Sequence, residues 1–154
     1  MDTRPSWEEY FLQIALDVAQ RATCLRRQYG AVIVNRKNRI VSTGYCGAPK
    51  GVTNCTDIGK CKRQELNIPS GERYELCRSV HAEQNAITAA DLDEMENGTI
   101  YIAGQETATK KLAIANPCAL CARMIKNAGL YRIIFWDADK IIHIIPADAL
   151  LKDL

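Results

Sequence analysis

The strongest indication of fold and function in this sequence comes from two short segments, His81-Ala82-Glu83 and Pro117-Cys118-Ala119-Leu120-Cys121. They supply one imidazole, two thiols and one carboxylate. If His81, Cys118 and Cys121 bind zinc, the fourth tetrahedral position stays open for water, as in catalytic rather than structural zinc sites. Glu83 is then free to act as a general acid/base. The two segments therefore predict a catalytic zinc centre with its own proton carrier.

Both segments are expected at the starts of helices. Ser79 is a candidate cap for a helix over about 80–90, and Asn116-Pro117 is typical of the start of a helix that runs to about 128. Cys118 and Cys121 are three residues apart, so they share one face of the first turn. The partial positive charge of a helix N-terminus favours the thiolate form of both cysteines. We therefore expect the two helix starts to converge on one zinc ion.

The rest of the chain alternates between helical and extended patterns. Ser6 and Glu9 form a capping box before a helix predicted at about 7–28, which Gly30 would end. A short helix is predicted after Pro146, and β-strands are predicted at 31–34, 39–45, 99–103, 131–136 and 141–145. This order favours one α/β domain over residues 1–154, a layered sandwich with a mixed sheet.

Composition and charge narrow the class of protein. With 154 residues, 47% hydrophobic and 25% charged, the chain is long enough to bury a core. A net charge of +2 is too small to indicate a nucleic-acid or membrane partner. The sequence shows neither an apolar run of membrane-spanning length nor a signal peptide, so we expect a cytoplasmic protein.

Seven cysteines without a secretion signal favour metal binding over disulfides. Residues 46–78 lack periodicity, and a loop of that length in a compact domain is usually functional or held in place. A second zinc bound by four further cysteines would hold it, and the alternative is four unrelated thiols. The four candidates are Cys24, Cys55, Cys61 and Cys77.

A closed structural zinc remains an alternative for the main motif. Cys-x-x-Cys with a distant histidine also forms such sites when one more cysteine completes them. The position of Glu83, two residues after His81, and of Pro117, just before Cys118, favours catalysis instead. His-x-Glu followed by Pro-Cys-x-x-Cys is a known signature of zinc-dependent deaminases.

These segments and their surroundings resemble the cytidine/deoxycytidylate deaminase superfamily, specifically its dCMP deaminase branch. The similar region runs from about residue 7 to residue 136. Its segments are Arg21-Ala22-Thr23-Cys24, Tyr29-Gly30-Ala31-Val32-Ile33-Val34, Gly44-Tyr45-Cys46-Gly47-Ala48-Pro49, His81 to Ile87 and Pro117 to Ala122.

The resemblance implies a three-layer α/β sandwich with a mixed sheet of about five strands flanked by helices. It implies hydrolysis of dCMP to dUMP and ammonia, with Zn²⁺ held by His81, Cys118 and Cys121 and with Glu83 as acid/base. It further implies a homo-oligomer, often a hexamer, activation by dCTP and inhibition by dTTP with Mg²⁺, and in some members a second zinc.

Four residues are candidates for substrate binding. Ala82 is expected to expose its backbone to the base, and Arg26 or Arg27 to bind a phosphate. Lys60, Lys62 and Arg63 are further candidates for binding a substrate or effector phosphate, although a place on the solvated surface is the favoured expectation for each. Cys46 stands where the family usually has an asparagine that contacts substrate, and a thiol does not replace an amide that donates and accepts. The stretch 104–116, longer than in the family, is expected beside the pocket.

Two further hypotheses remain open from sequence. A deaminase acting on a base in tRNA or single-stranded DNA would use the same chemistry on an unpaired base, but it usually carries a basic stripe. A zinc-stabilised module without catalysis would not need Glu83, and removal of its metal would unfold it.

Overall fold

A six-stranded mixed sheet forms the centre of the computed structural model, which describes residues 2–151. Five strands lie in the order β2-β1-β3-β5-β6, and the two-residue β4 pairs with β3 beyond the end of β5. The β3–β5 pair is parallel, and the other pairs are antiparallel. The strands are β1 (Arg27–Val34), β2 (Ile40–Tyr45), β3 (Thr99–Glu106), β4 (Leu112–Ala113), β5 (Arg132–Trp136) and β6 (Ile142–Pro146).

Helices cover both faces of the sheet. Helix α1 (Trp7–Ala19) packs its buried Phe11 and Leu12 against one face. On the other face, α4 (Ala82–Thr88) and α6 (Ala119–Asn127) bury small and branched side chains against the strands. This confirms the predicted three-layer α/β sandwich.

The shorter helical elements lie in the connections. Helices α2 (Cys55–Ile58) and α3 (Lys62–Glu65) and a 3₁₀ turn (Tyr74–Leu76) lie between β2 and α4. Helix α5 (Leu92–Met95) follows α4, and a 3₁₀ helix (Ala147–Leu151) follows β6. The predicted aperiodic loop 46–78 thus contains three short helical turns. No helix among residues 2–151 is both long enough and apolar enough to cross a membrane.

The first helix begins where it was predicted to begin but ends earlier than predicted. Ser6 Oγ accepts the Glu9 backbone N–H at 3.1 Å, as the capping box predicts. The helix ends at Ala19 rather than near residue 28, and Arg27 already belongs to β1. Residues 27–34 form a continuous register with residues 99–106 of β3, and these backbone pairs outweigh the local helical spacing of the side chains.

Gly30 therefore has a different role from the predicted helix stop. It lies within β1, where a Cβ atom would come within 2.1 Å of the Ala15 carbonyl oxygen of α1. The absence of a side chain lets the helix lie directly on the strand.

Substitution of Gly30 by alanine is expected to destabilise the protein by about 1–3 kcal/mol, because the helix must move away from the sheet. Urea denaturation of the variant, compared with Thr43→Ala at an exposed position of β2, measures the loss. A change within about 0.5 kcal/mol, typical of surface substitutions, would contradict the close packing seen here.

Defined contacts hold both the 46–78 segment and the 104–116 stretch, which was expected beside the pocket. Gly47 and Val80 form a backbone bridge, with N–O distances of 3.2 and 2.7 Å, which joins the start of the 46–78 segment to the residue before His81. In 104–116, β3 continues to Glu106, and β4 pairs with Gly104 and Gln105. Both segments are therefore anchored to the sheet beside α4 and α6.

Candidate metal centre and its cavity

His81, Cys118 and Cys121 form a cluster between the starts of α4 and α6. Their ligand atoms all lie within 4.8 Å of one another, and His81 Nδ1 lies 3.2 Å from Cys121 Sγ and 3.6 Å from Cys118 Sγ. Among residues 2–151, no other three histidine, cysteine or acidic side chains meet this distance. One imidazole and two sulfurs form a donor set that suits zinc.

The two predicted helix starts are each displaced by two residues. His81, not Ser79, precedes α4, and Gln84 Oε1 accepts its backbone N–H at 2.9 Å. Cys118, not Asn116, caps α6, and its sulfur accepts the Cys121 N–H at 3.4 Å. Two of the three candidate ligands are thus cap residues. Capping fixes the sulfur of Cys118 and the backbone of His81 at positive helix ends.

The sulfurs at this site differ in their protonation. Hydrogen bonds to a Cys118 thiolate, first from the Cys121 thiol and then from His81, lower the pKa of Cys118 to about 4. The same bond and burial raise the pKa of Cys121. The hydrogen bond to Cys118 also raises the pKa of His81. This pairing stabilises one thiolate before any metal binds.

Glu83 is buried in the first turn of α4, with an exposed fraction of 6%. It lines the same cavity as His81 and Cys118. Burial raises the pKa of its carboxyl group, because the charged form loses its hydration. A carboxyl group with a raised pKa can both take up and release a proton near neutral pH, as a general acid/base must.

A cavity of about 150 Å³ opens in front of the cluster, and all four candidate substrate residues line it. Ala82 is buried at its wall, while Arg26 is half-buried. Arg27 Nε donates to Glu106 Oε1 at 3.1 Å, so its charge already has a partner. Asn116, from the 104–116 stretch, also lines the cavity.

Cys46 lies at the cavity wall and is turned toward β1. Its sulfur accepts the Tyr29 N–H at 3.4 Å and lies 3.8 Å from the Arg27 carbonyl oxygen. Burial raises the pKa of its thiol to about 12, so it is neutral. The sulfur of Cys46 thus already contacts the backbone of β1.

The four remaining cysteines lie near one another. Cys55, Cys61 and Cys77 line a second cavity of about 250 Å³. Burial, followed by the charges of nearby Cys24, Cys77 and Cys61, raises the pKa of Cys55. No three of these four sulfurs lie within 4.8 Å of one another. Three of the four cysteines thus share one cavity, whereas Cys24 lines the main cavity, and the set is more open than the first cluster.

Nothing in the sequence indicated Tyr74, and a solvated place was favoured for Arg63, one of the candidates for phosphate binding. Arg63 was expected on the solvated surface, yet it has an exposed fraction of only 7% and lines the main cavity. Tyr74 contacts His81 edge to face, with ring centroids 4.9 Å apart. Both belong to the segment without periodicity, so no spacing pattern indicated their burial.

Comparison with solved structures identifies the fold as that of the cytidine deaminases. A dCMP deaminase from cyanophage S-TIM5, solved with dCMP and dUMP, matches with a TM-score of 0.63 at 20% identity, covering 99% of this chain and 94% of that one. A cytidine deaminase from Burkholderia pseudomallei matches with a TM-score of 0.59 at 13% identity, covering 92% and 94%.

The sequence gives the family. Residues 5–137 match the model of the cytidine and deoxycytidylate deaminase zinc-binding region, and the chain belongs to this family. A deoxycytidylate deaminase of Mycobacterium phage D29 is 34% identical over 137 residues, which cover 86% of this chain and 96% of the relative.

A second deoxycytidylate deaminase, from Schizosaccharomyces pombe, is 34% identical over 132 residues, which cover 86% of this chain. The similarity extends over 37% of that longer relative. The resemblance inferred from the two zinc-binding segments is therefore confirmed.

Proposed function

We propose that this chain is a zinc-dependent hydrolytic deaminase that converts dCMP and water to dUMP and ammonia. One observation carries the proposal: the imidazole and two sulfurs cluster beside a buried carboxyl group, in a cavity open to a small molecule. The relatives named deoxycytidylate deaminase support the choice of substrate.

In this proposal His81, Cys118 and Cys121 hold the zinc ion. When bound, zinc lowers the pKa of a water molecule toward about 7, so that a nucleophile is available at neutral pH. The donor set fits this role, since two sulfurs and one imidazole leave a coordination position for water. Glu83 is not needed as a ligand.

Glu83 moves the proton. It takes one proton from the attacking water and delivers it to the ring nitrogen N3. It then takes the second proton from the new hydroxyl group on C4 and delivers it to the leaving amino group. A C–O bond forms at C4 of cytosine and the C4–N4 bond breaks, so the water oxygen becomes the carbonyl oxygen of uracil. The departing group is ammonia. A buried carboxyl group with a raised pKa suits both directions of transfer.

Ala82, Cys46, Arg26 and Arg27 are proposed to line the substrate site. Ala82 adjoins both His81 and Glu83, which fits a contact between its backbone and the base. Arg26 makes no ion pair with the described residues, so its charge is available to the substrate. We propose a packing role for Cys46, because its sulfur already contacts β1.

We also propose that Cys24, Cys55, Cys61 and Cys77 bind a second, structural zinc. The cavity that Cys55, Cys61 and Cys77 share supports this, as does the influence of the other three cysteines on the pKa of Cys55.

Replacement of Cys55 by serine is expected to lower the zinc content from two ions to one per chain and to lower the melting temperature, because the metal would hold the 46–78 segment. Elemental analysis measures the content, and Ser70→Ala is the control. Two zinc ions in the variant, or one in the unsubstituted protein, would contradict the second site.

Regulation, assembly and location complete the proposal. We propose a cytoplasmic homo-oligomer, a hexamer in line with the family, that responds to dCTP and dTTP with Mg²⁺. Exposed apolar side chains such as Trp7, Leu120 and Ile144 support association between copies. Light scattering and kinetics with each nucleotide are the corresponding measurements.

A substrate panel tests the function. Zinc-loaded protein is incubated with dCMP, CMP, dCTP, deoxycytidine, a cytosine-containing DNA oligomer and a tRNA anticodon stem, each with and without dCTP. Ultraviolet absorbance and ammonia release follow turnover. We expect turnover of dCMP above all others, and loss of that turnover in Glu83→Ala.

Other outcomes of the panel separate the remaining hypotheses. Turnover of an oligonucleotide or of another small compound would retain the chemistry and replace the substrate. Absence of turnover of any compound by fully zinc-loaded protein would overturn the proposal and favour a binding module without catalysis.

A further inference from the structure

Two charged side chains are buried among residues 2–151, and both line the cavity beside the metal cluster. They are Glu83, with an exposed fraction of 6%, and Arg63, with 7%. Glu83 has a role in the proposed chemistry. Arg63 has none, although a buried guanidinium group is costly unless something offsets its charge.

The protein holds the Arg63 guanidinium group in a defined place. Nε donates to the Glu72 carbonyl oxygen at 3.1 Å, and Nη2 donates to the Pro69 carbonyl oxygen at 2.9 Å. The group also lies over the Tyr74 ring, 4.7 Å from its centroid. Three contacts from one short segment therefore fix the group in the cavity wall.

The charge of Arg63 lacks a counter-ion in the protein. No carboxylate among the described residues lies within the 4.0 Å of an ion pair, whereas Arg27 is paired with Glu106 at 3.1 Å. Nη1 makes no hydrogen bond to the described residues. Every fully buried polar side-chain atom among those residues has a hydrogen-bond partner, so Nη1 is not fully buried. Nη1 therefore keeps some accessible surface, and Arg63 lines both the main cavity and the second one.

One aromatic ring lies between Arg63 and the metal cluster. The guanidinium group lies over one face of Tyr74, and the same ring contacts His81 with centroids 4.9 Å apart. Arg63 is thus one aromatic ring away from the imidazole. In a nucleoside monophosphate, one sugar separates the base from the phosphate. A base at Glu83 therefore leaves the phosphate in the region of Arg63.

We propose that Arg63 binds the phosphate of the substrate and thereby sets the preference for a nucleotide over a nucleoside. The inference rests on the proposed function. A guanidinium group suits a phosphate because its planar donors match two phosphate oxygens. It also provides recognition that Cys46 does not, since that thiol contacts β1.

Substitution of Arg63 by methionine tests the proposal, with dCMP and deoxycytidine compared in parallel. The value of kcat/KM for dCMP is expected to fall about 10- to 100-fold, mainly through KM, because a hydrogen bond to a charged group is lost. The value for deoxycytidine is expected to change less than about threefold. Lys62→Met, an exposed neighbour on α3 with the same change in charge, is the control and should match the unsubstituted protein.

Other results would overturn the inference. An equal fall for both substrates would assign Arg63 to holding the 69–74 segment, and the proposed function would stand. Arg63→Lys, which keeps the charge, replaces the methionine variant if circular dichroism shows that the latter is unfolded. It is expected to retain part of the preference for dCMP.

Equilibrium binding separates this inference from the proposed function. If the unsubstituted protein turns over neither substrate, the proposed function fails, but calorimetry with dUMP and deoxyuridine still tests Arg63. Tighter binding of dUMP that Arg63→Met abolishes would support the inference. Equal affinity for dUMP and deoxyuridine in the unsubstituted protein would overturn it.

Discussion

Replacement of Glu83 by glutamine is expected to lower kcat for deamination by about 10²- to 10⁴-fold, the usual contribution of a general acid/base. Glutamine has nearly the same shape and fits the same buried position, but its amide does not carry a proton between water, ring nitrogen and leaving group. Ammonia release under saturating dCMP measures the effect. The zinc content should remain unchanged, since the carboxyl group is not a proposed ligand.

The fold should tolerate this substitution. Burial raises the pKa of the Glu83 carboxyl group, so the native state disfavours its charged form and the neutral amide removes that cost. Because the pKa is raised, the free energy of unfolding falls as the pH rises and the buried carboxyl group is driven toward its charged form. Thermal melts of Glu83→Gln should therefore match or exceed those of the unsubstituted protein near neutral pH. Glu65→Gln, at an exposed site on α3, is the matched control. Activity within about threefold of normal in Glu83→Gln would exclude Glu83 as the proton carrier.

Replacement of Cys121 by serine is expected to remove the zinc ion of the main cluster and to reduce deamination below detection. Cys121 is fully buried, and its sulfur lies 3.2 Å from His81 Nδ1, so a solvent molecule does not easily replace it. A neutral hydroxyl group is a much poorer zinc ligand than a thiolate. Elemental analysis and ammonia release on the same sample measure both effects.

Ala119, one of the two exposed residues between the cysteines, offers the control for this experiment. Ala119→Ser adds a hydroxyl group to the same turn of α6 and should retain zinc and activity. Full zinc occupancy and normal turnover in Cys121→Ser would contradict the proposed ligand set. Loss of zinc and fold, in a protein whose unsubstituted form has no activity, would favour the structural-zinc alternative.

The metal cluster shows how much local sequence can predict. The spacing of Cys118 and Cys121 predicted that they share one helix turn, because residues three apart lie on the same face of a helix. That the two turns meet follows from the packing of α4 and α6 on one face of the sheet. Their capping by His81 and Cys118 themselves was missed, since Ser79 and Asn116 are better caps by residue type.

The end of the first helix shows where local pattern fails. Tyr10, Ile14, Val18 and Leu25 have helical spacing, and the prediction extended the helix to about residue 28. The chain instead leaves the helix after Ala19 and enters β1 at Arg27. Only β3, more than seventy residues further along the chain, supplies the pairing that decides this boundary.

By itself the sequence determined the class of fold and the chemistry of the main site, because periodicity and ligand spacing are local properties. The tertiary structure decided that Arg63 is buried in the cavity wall and that Cys46 turns to β1. It also decided that Arg27 is paired with Glu106. The contacts of Arg27 and Cys46 join segments that are 79 and 17 residues apart in the chain. Those of Arg63 come from a segment without periodicity, so no short pattern of sequence indicates any of the three. The substrate preference argued here therefore rests on tertiary contacts, whereas the proposed chemistry rests on two short motifs.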